Sequence, residues 1–398
     1  MPVTGGLTRT ISPARRAAFV TLEAVAEGAY ASDTLREQSR ELSQRDAGLA
    51  SQIVFGTLRY QAQLDFLILL FSGKKAAGLD PPVRLALRTA IFQLRYLERI
   101  PPHAAVHESV EFVKGAKHAA SGLTNAVLRK VHRRPVEWPD LPTELSCPGW
   151  LLEHWSSHFG TEAARAIAAA ALVEPVPYVR IPDNAAKPDD LILEPAGIRG
   201  AYRVRSEVPA GMRLHDISSQ SIVPLLDLDA RSTYLDLCAA PGNKTTQAME
   251  AAPALAIACD VSLKRLRDVP PVCPRVVLDA TEELPFNTTF SRIFIDAPCS
   301  GTGTLARNPE IKWRLQQDDL PRFRERQSAI LARAAPALAP GGKLLFAACS
   351  LEQEENGDVV RDFLEKHAAF RRTQEVWRLP GREEGDGFYA AVLERTTA

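Results

Sequence analysis

The chain has 398 residues, of which 45% are apolar and 24% are charged, a composition that indicates a soluble globular protein long enough for two or three cores. Its 48 basic and 48 acidic side chains give a formal net charge of zero, so total charge does not point to a nucleic-acid partner. Its six cysteines include no C-x-x-C pair, which argues against a disulfide framework and a zinc site. We therefore expect a metal-free protein of the reducing cytoplasm.

The apolar segments in the first part of the chain do not predict membrane association. Residues 1–12 lack the apolar core of a signal peptide, and the apolar run 64–71 is too short to span a bilayer. We therefore expect no membrane partner, and we expect a monomer.

Residues 1–135 predict an all-α domain. Apolar residues recur at helical spacing in four stretches: 14–29, 82–97, 105–113 and 123–129. This part of the chain holds 19 basic and 11 acidic residues, which leaves 29 basic and 37 acidic residues for the remainder. The basic excess therefore lies in the helical domain.

One basic segment within this domain is a candidate RNA-binding surface. Residues 112–136 contain no acidic residue and six basic ones, which suit phosphate contacts, although a solvated helix face is the alternative. These six are Lys114, Lys117, Arg129, Lys130, Arg133 and Arg134.

Proline spacing predicts a linker and then a small subdomain. Four prolines between residues 135 and 148 indicate a linker over 136–148. Residues 149–173 have helical apolar spacing, and short strand-like pieces broken by Pro182, Pro188 and Pro195 follow. We expect a small α+β subdomain over 149–212 and a catalytic domain over 213–398.

The segment from Tyr234 to Thr246 predicts a strand, a turn and the start of a helix. This is the order found at nucleotide-type sites, where the ligand lies at the carboxyl ends of parallel strands. Gly242 allows close approach to a ligand, and Asn243 is one of the few other residues that tolerate a left-handed conformation. The candidate cofactor-binding residues of the turn are Cys238, Ala239, Ala240, Pro241, Gly242, Asn243 and Lys244.

Three apolar runs further along the chain each end in an aspartate. Asp260 lies 18 residues after Gly242, which is where an acid that binds ribose hydroxyls is expected. Asp279 and Asp296 end the next two runs. Parallel strands would bring all three acids to one edge of a sheet, so each is a candidate cofactor-binding residue.

Two cysteines also follow predicted strands: Cys299 in Asp-Ala-Pro-Cys-Ser-Gly and Cys349 in Ala-Ala-Cys-Ser. Carbon 5 of a cytosine takes a methyl group only after a nucleophile adds to carbon 6, which is a task for a thiolate. A second ionisable group can then assist elimination. The alternative is that both cysteines are small buried apolar residues.

These motifs resemble those of the S-adenosylmethionine-dependent RNA 5-methylcytosine methyltransferases. The match covers 236–245, with Asn243 in place of the usual second glycine, then 296–301, and finally 349–350, with Ala348 in place of threonine. Segments 307–313, 354–356 and 386–388 also resemble the family, and so does 214–220, in which His215 replaces the usual glutamine.

The resemblance implies an α/β fold, with a Rossmann-like seven-stranded domain that binds S-adenosylmethionine. It implies that Cys349 attacks carbon 6, that Cys299 assists release and that Asp296 binds and protonates the ring at N3. Asp260 is then expected to bind the ribose hydroxyls and Asp279 the adenine side. The candidate RNA contacts of the catalytic half are Arg307, Lys312 and Arg314.

The first 135 residues resemble the NusB proteins, and this fusion is typical of bacterial enzymes that methylate cytosine in 16S ribosomal RNA. RNA, most of all ribosomal RNA, is therefore the expected partner. Transfer RNA is an alternative substrate for the same chemistry, and a non-catalytic RNA-binding assembly factor is an alternative function. A DNA cytosine methyltransferase, with Cys299 as the nucleophile, is a further alternative.

Overall fold

The computed structural model describes residues 11–209 and 211–397. The chain forms two compact units. Unit 1 comprises Met1–Glu153, Ala168–Val173 and Ala306–Arg314, and unit 2 comprises His154–Ile167, Glu174–Leu305 and Leu315–Ala398. Residues 1–10, 210 and 398, which belong to the expected domains, lie outside the described residues.

Unit 1 is helical. Its helices are α1 (Pro13–Ala26), α2 (Ala31–Gln38), α3 (Gln44–Arg59), α4 (Gln61–Ser72), α5 (Pro81–Tyr96), α6 (Pro102–Lys117), α7 (Ser121–Leu128) and α8 (Leu141–Glu144). Prolines in the first turn favour the starts of α1, α5 and α6, since their missing N–H groups are not needed there. The Ser43 hydroxyl caps α3 by accepting a hydrogen bond from the amide of Asp46 at 3.1 Å. The four predicted helical stretches correspond to α1, α5, α6 and α7.

The expected linker 136–148 is packed against unit 1. Val136 and Trp138 contact the apolar core, and the rings of Phe66 and Trp138 meet edge to face with centroids 5.8 Å apart. The Gln63 side-chain amide donates to the carbonyl of Glu144 at 2.5 Å. Proline spacing indicates a break between helices here, but the half-buried Trp138 fixes the segment in place.

The segment Ala306–Arg314, which includes α14 (Ile311–Arg314), completes the helix ends of unit 1. The Glu310 carboxylate accepts from the amide of Ala31 at the start of α2 at 3.0 Å. Trp313 Nε1 donates to the carbonyl of Leu58 in the last turn of α3 at 2.7 Å. An anion at a helix amino terminus and a donor at a carboxyl terminus satisfy groups that the helices leave unpaired.

Two further helices precede a small antiparallel sheet: α9 (Gly149–Phe159) and α10 (Thr161–Ala170). The sheet has the order β1-β3-β2 and consists of β1 (Tyr178–Arg180), β2 (Leu193–Pro195) and β3 (Ala201–Val204). Pro195 lies in the edge strand β2, where its missing N–H interrupts no ladder.

The main sheet of unit 2 has seven strands among the described residues, in the order β6-β5-β4-β7-β8-β10-β9. The strands are β4 (Thr233–Asp236), β5 (Leu255–Asp260), β6 (Arg275–Val277), β7 (Phe290–Asp296), β8 (Leu338–Ala348), β9 (Phe370–Arg378) and β10 (Phe388–Arg395). Strands β4 to β8 pair in parallel, and β10 pairs antiparallel with both β8 and β9. The expected α/β fold with a Rossmann-like seven-stranded sheet is confirmed.

Helices cover both faces of this sheet, as a buried parallel sheet requires. They are α11 (Ile217–Ile222), α12 (Asn243–Ala248), α13 (Leu263–Leu266), α15 (Leu320–Ala334) and α16 (Gly357–Lys366). Phe346 packs in a core with residues of α15 and α16, while its neighbour Leu345 packs in a core with residues of α11. This alternation leaves the strand ends as the place where polar side chains can gather.

No single helix among residues 11–209 and 211–397 is both long and apolar enough to cross a membrane; α3 and α4 reach that length and apolar content only as a pair bent by 80°.

His215 is a buried neutral histidine in the segment that leads into the main sheet. It is 4% exposed, and its Nε2 lies 3.1 Å from the hydroxyl of Ser219. Burial, together with the positive charges of Lys244, Arg180 and Arg213, lowers the pKa of His215 to about 3. The folded protein therefore excludes a proton that the unfolded chain binds below pH 6.5.

We predict that His215 contributes stability that is complete above pH 6.5 and is lost as the pH falls from 6.5 towards 3. The loss is at most about 1.4 kcal/mol per pH unit, because one proton distinguishes the two states. In His215→Gln, which cannot take up this proton, the decline in unfolding free energy between pH 6.5 and 5 should be smaller by about 2 kcal/mol. Urea unfolding of both proteins at several pH values measures it, and equal declines would contradict the assignment.

Candidate active site

The turn between β4 and α12 is built around Gly242. Its φ is +98°, and a Cβ atom there would lie 2.9 Å from Val269 and Pro270. Asn243, for which we considered a left-handed conformation, is instead the first residue of α12. Its side-chain amide donates to the carbonyl of Leu214 at 2.8 Å, and its Oδ1 accepts from Arg213 at 3.0 Å. Asn243 therefore ties the turn to the preceding segment.

Asp260 lies at the end of β5, beside the same turn. Its carboxylate is 4% exposed and accepts from the amides of Ala240 at 3.3 Å and Ser262 at 2.9 Å. Each carboxylate oxygen has lone pairs left for a further donor. The side chain is thus held in place and still able to accept ligand hydroxyls.

Asp236, at the end of β4, is 1% exposed. Its Oδ2 accepts from the hydroxyls of Thr245 at 2.7 Å and Tyr234 at 3.2 Å, whereas Oδ1 has no hydrogen-bond partner in the described structure. Burial raises the pKa of Asp236 to about 7, although the hydrogen bond from Thr245 opposes this shift. A buried polar atom left unpaired beside the turn indicates room for a ligand donor.

Asp279 lies two residues beyond β6 and is exposed. Its carboxylate accepts from the amide and the hydroxyl of Thr281 at 2.9 and 2.7 Å, and these bonds lower the pKa of Asp279. Its neighbour Leu278 donates its amide to the carbonyl of Asp260 at 3.2 Å. This backbone hydrogen bond holds Leu278, the residue before Asp279, at the end of the Asp260 strand.

Lys244 and Asp296 form an ion pair between α12 and the end of β7. Lys244 Nζ lies 2.6 Å from Asp296 Oδ2 and 4.9 Å from the centre of the Phe388 ring. Burial lowers the pKa of Lys244, but attraction to Asp296 and the hydrogen bond between them outweigh burial, so the pKa lies above its ordinary value. Cys349 and Asp236 raise it further. The ammonium therefore stays charged within the site.

The two thiols meet in the structure. Cys299 Sγ and Cys349 Sγ are 3.4 Å apart, and both residues are half-buried. The hydrogen bond with Cys349, together with burial, raises the pKa of Cys299 well above its ordinary value. The contact brings both candidate catalytic thiols to one place at the sheet edge.

Glu355 joins the two cysteine loops, a contact that the sequence did not reveal. It is fully buried; its Oε1 accepts from the amide of Ser300 at 2.7 Å, and its Oε2 accepts from the hydroxyls of Ser300 and Ser350, both at 2.5 Å. Burial raises the pKa of Glu355 to about 7. Segment 354–356 resembles the family in sequence, but the sequence does not show that Glu355 contacts the two serines.

A second close approach holds the Cys299 loop. A Cβ atom on Gly303 would lie 2.2 Å from the carbonyl oxygen of Gly387. Gly303 accepts from the amide of Gly387 at 2.7 Å and donates to the carbonyl of Cys349 at 2.9 Å. Only glycine permits this junction, which binds three loops together.

The six basic candidates of 112–136 are all exposed. Lys117 pairs with Asp80 at 2.5 Å and Lys114 pairs with Glu111, while Arg133 donates to the carbonyls of Leu94 and Leu97. Lys130 Nζ lies 3.5 Å from the carbonyl of Phe71, and the two other exposed candidates are Arg129 and Arg134.

The structure contradicts the predicted RNA contact of Lys312, and it gives Arg314 partners within the protein. Lys312 is 1% exposed and donates to the carbonyl of Arg59 at 2.9 Å, and its burial lowers the pKa of its ammonium to about 8. Arg314 donates to carbonyls of α1 and the following turn: those of Val25, Gly28 and Ala29. Lys312 is wrong as a phosphate ligand because it caps α3. Arg307 is half-buried.

Among the residues that the structure describes, no group of three or more His, Cys, Asp or Glu side chains is arranged to hold a metal ion.

Comparison with known proteins agrees with this geometry. Residues 223–394 match the family model described as 16S rRNA methyltransferase RsmB/F, and residues 12–133 match the NusB family. Ribosomal RNA small subunit methyltransferase B of Cronobacter sakazakii is 32% identical over 97% of this chain and 99% of its own. The Escherichia coli protein of the same name is 32% identical over 95% and 97%.

Two solved structures share the fold. PH0851 superimposes with a TM-score of 0.80 at 21% identity, over 97% of this chain and 99% of its own. NSun6 from Pyrococcus horikoshii gives 0.55 at 17% identity, over 63% and 99%. With the sequence relatives, these matches confirm the expected family, fold and cofactor: the chain belongs to the RsmB/F family of S-adenosylmethionine-dependent ribosomal RNA methyltransferases and carries an amino-terminal NusB domain.

Proposed function

We propose that this protein methylates carbon 5 of a cytosine in 16S ribosomal RNA through a covalent bond between Cys349 and carbon 6. One observation carries the proposal: two thiols lie 3.4 Å apart, in loops that follow adjacent parallel strands. The Lys244–Asp296 ion pair interacts with Cys349 at the same sheet edge. Relatives named as small subunit ribosomal RNA methyltransferases support the choice of substrate.

In the first step, the Cys349 thiolate forms a bond to carbon 6, and the electron pair displaced from the ring double bond requires a proton at N3. The family resemblance assigns this proton to Asp296. Because the Lys244 ammonium lies 2.6 Å from that carboxylate, we assign the proton to the pair. Lys244 supplies it, and Asp296 holds the ring.

S-adenosylmethionine supplies the methyl group when it is bound. Carbon 5 of the adduct forms a bond to the methyl group as the bond between that group and its donor sulfur breaks, and carbon 5 then loses its proton to a base. The N3 proton returns to the Lys244–Asp296 pair as the bond between carbon 6 and Cys349 breaks and releases the thiolate. Cys299 Sγ lies 3.4 Å from Cys349 Sγ, so as a thiolate it is close enough to the adduct to accept the proton of carbon 5. We assign Cys299 to the elimination.

The residues of the turn fit S-adenosylmethionine. The buried Asp260 carboxylate has capacity for the ribose hydroxyls, and Asp279, beyond the neighbouring strand, is assigned to the adenine side. The unpaired Oδ1 of Asp236 and the turn at Gly242 provide polar groups for the methionine portion. Asp296 and Lys244 border the turn on its other side.

Unit 1 is assigned to RNA binding through the exposed basic residues of 112–136. Arg129 and Arg134 are exposed, and the segment contains no acidic residue. Transfer RNA is the alternative substrate for the same chemistry. Bisulfite sequencing of ribosomal and transfer RNA, from cells with and without this protein, tests the choice of substrate. If a 5-methylcytosine is lost from transfer RNA alone, transfer RNA is the substrate. If none is lost from either RNA, the result favours a non-catalytic assembly factor.

We predict that Asp260→Ala weakens S-adenosylmethionine binding by about 2 to 3 kcal/mol, because charge-assisted hydrogen bonds to the ribose are lost. Titration calorimetry of the purified variant measures the Kd. Asp260→Asn is the matched control, since it keeps the shape and two acceptor lone pairs and should lose less. An unchanged Kd in Asp260→Ala would show that the ribose is bound elsewhere.

The two thiols should respond differently to removal. We predict that Cys349→Ala abolishes methylation and every covalent adduct, because carbon 5 is never activated. In Cys299→Ala, Cys349 should still add to carbon 6 and the methyl group should still be transferred, but elimination is slowed. Enzyme covalently joined to methylated RNA should therefore accumulate and be seen as a shifted band on a denaturing gel.

Cys273→Ala, which removes a half-buried thiol elsewhere, is the control and should match the wild type. The opposite pattern, an adduct from Cys349→Ala and none from Cys299→Ala, would exchange the two roles and favour the DNA-type mechanism.

We predict that Arg129→Gln combined with Arg134→Gln weakens RNA binding and flattens its salt dependence. Each lost phosphate contact lowers the slope of log affinity against log salt by roughly 0.7 for single-stranded RNA. The control is Arg40→Gln combined with Arg45→Gln, two exposed basic residues of unit 1 outside the segment. Filter binding over a salt series measures both slopes, and equal slopes would remove the segment from the RNA site.

A further inference from the structure

The register of the two cysteine loops is fixed by more than the sheet. Strands β7 and β8 pair in parallel up to Asp296 and Ala347, and the amide of Ala297 still donates to the carbonyl of Ala347 at 2.7 Å. Beyond this point both chains leave the ladder. Cys299 and Cys349 therefore lie where backbone pairing of the two strands no longer sets their separation.

Glu355 supplies a side-chain connection beyond the ladder, in addition to the bond from the Gly303 amide to the carbonyl of Cys349 and that from the Leu351 amide to the hydroxyl of Thr302. Ser300 directly follows Cys299 and Ser350 directly follows Cys349, and one carboxylate binds both serines. The serine hydroxyls also lie 3.1 Å from each other. These hydrogen bonds are shielded from water because Glu355 and Ser350 are fully buried.

The carboxylate is itself held in place. Its backbone amide donates to the carbonyl of Glu352 at 3.1 Å, and the side chain of Asn356 donates to the carbonyl of Ser350 at 2.9 Å. Two successive residues thus hold the Cys349 loop. Glu355 does not touch either thiol by a hydrogen bond in the described structure, so its effect on them is indirect.

We propose that Glu355 is a positioning residue that clamps the Cys299 and Cys349 loops together, so that both thiols address the same base. Cytosine carbons 5 and 6 are adjacent, and a nucleophile at one and a base at the other must be held at a matching separation. The catalytic part of this role rests on the proposed function. The clamp itself is a property of the unliganded protein.

A thiol-pairing equilibrium tests the clamp without RNA. In a glutathione redox buffer the two thiols are oxidised to a disulfide, and one oxidised glutathione is reduced to two glutathione molecules, so the equilibrium constant reports how closely the sulfurs are held. The 299–349 linkage is quantified by mass spectrometry of digested, alkylated protein. In Glu355→Ala we expect this constant to fall about tenfold, because the loops lose the carboxylate link between Ser300 and Ser350 and their separation is held less tightly.

Methylation kinetics supply the second readout. In Glu355→Ala we expect kcat to fall about a hundredfold while the KM for S-adenosylmethionine stays within twofold, since misplacement of reacting groups affects the chemical step. Glu355→Gln retains an acceptor oxygen but cannot accept from both the amide and the hydroxyls, so it should recover part of both losses. Glu354→Gln is the matched control: Glu354 pairs with His154 and should change neither readout.

The outcomes separate the hypotheses. A folded Glu355→Ala with the wild-type disulfide constant and kcat would overturn the clamp. A lowered disulfide constant, with no cytosine methylation even by the wild type, would retain the clamp and reject the proposed function. If Glu355→Ala does not fold, Ser350→Ala takes its place: it removes the hydrogen bond from Ser350 and leaves the Glu355 carboxylate bound to Ser300. We expect smaller decreases in both the disulfide constant and kcat. If neither decreases, the proposal is overturned.

Discussion

The site depends on the ion pair between Lys244 and Asp296. Lys244 lies on the helix after β4 and Asp296 ends β7, so their 2.6 Å contact joins the cofactor turn to the strand that leads to Cys299. Removing one partner would leave an uncompensated charge in a partly buried place, which is strongly unfavourable. The ammonium of the pair also interacts electrostatically with Cys349. One contact thus sets both the geometry and the charge of the site.

Around this pair, the sheet holds three carboxylates close together, although like charges repel. Asp236, Asp260 and Asp296 end three neighbouring parallel strands, and one ammonium lies among them. Mutual repulsion is tolerated because amides and hydroxyls bind Asp260 and Asp236 individually. The remaining acceptor capacity of these carboxylates is therefore directed at ligands with several hydroxyl or amino groups.

The sequence predicts those features that depend on local pattern. The strand ends at Asp260, Asp296 and Cys349 follow from apolar runs that stop at a polar residue, and the sheet brings them to one edge, as expected for parallel strands. Contacts between distant segments were not predictable. Glu355 reaches Ser300 across 55 positions, and no periodic pattern encodes that approach.

Basic residues show the same limit. The exposure usual for lysines predicts that Lys312 binds phosphate, but Lys312 is buried and donates to the carbonyl of Arg59, the last residue of α3. Proline spacing over 136–148 indicated a break between helices, yet Trp138 packs the segment against unit 1. In both cases tertiary packing overrode a correct local preference.

The membership of Ala306–Arg314 in unit 1 bears on how the protein is made. Chains emerge from the ribosome amino terminus first, and amino-terminal domains commonly fold before the rest is synthesised. Here Glu310, Trp313 and Arg314 complete the ends of α2, α3 and α1, and they are translated only after more than three hundred residues. The unit that begins the chain can therefore reach its final form only when most of the chain has been synthesised.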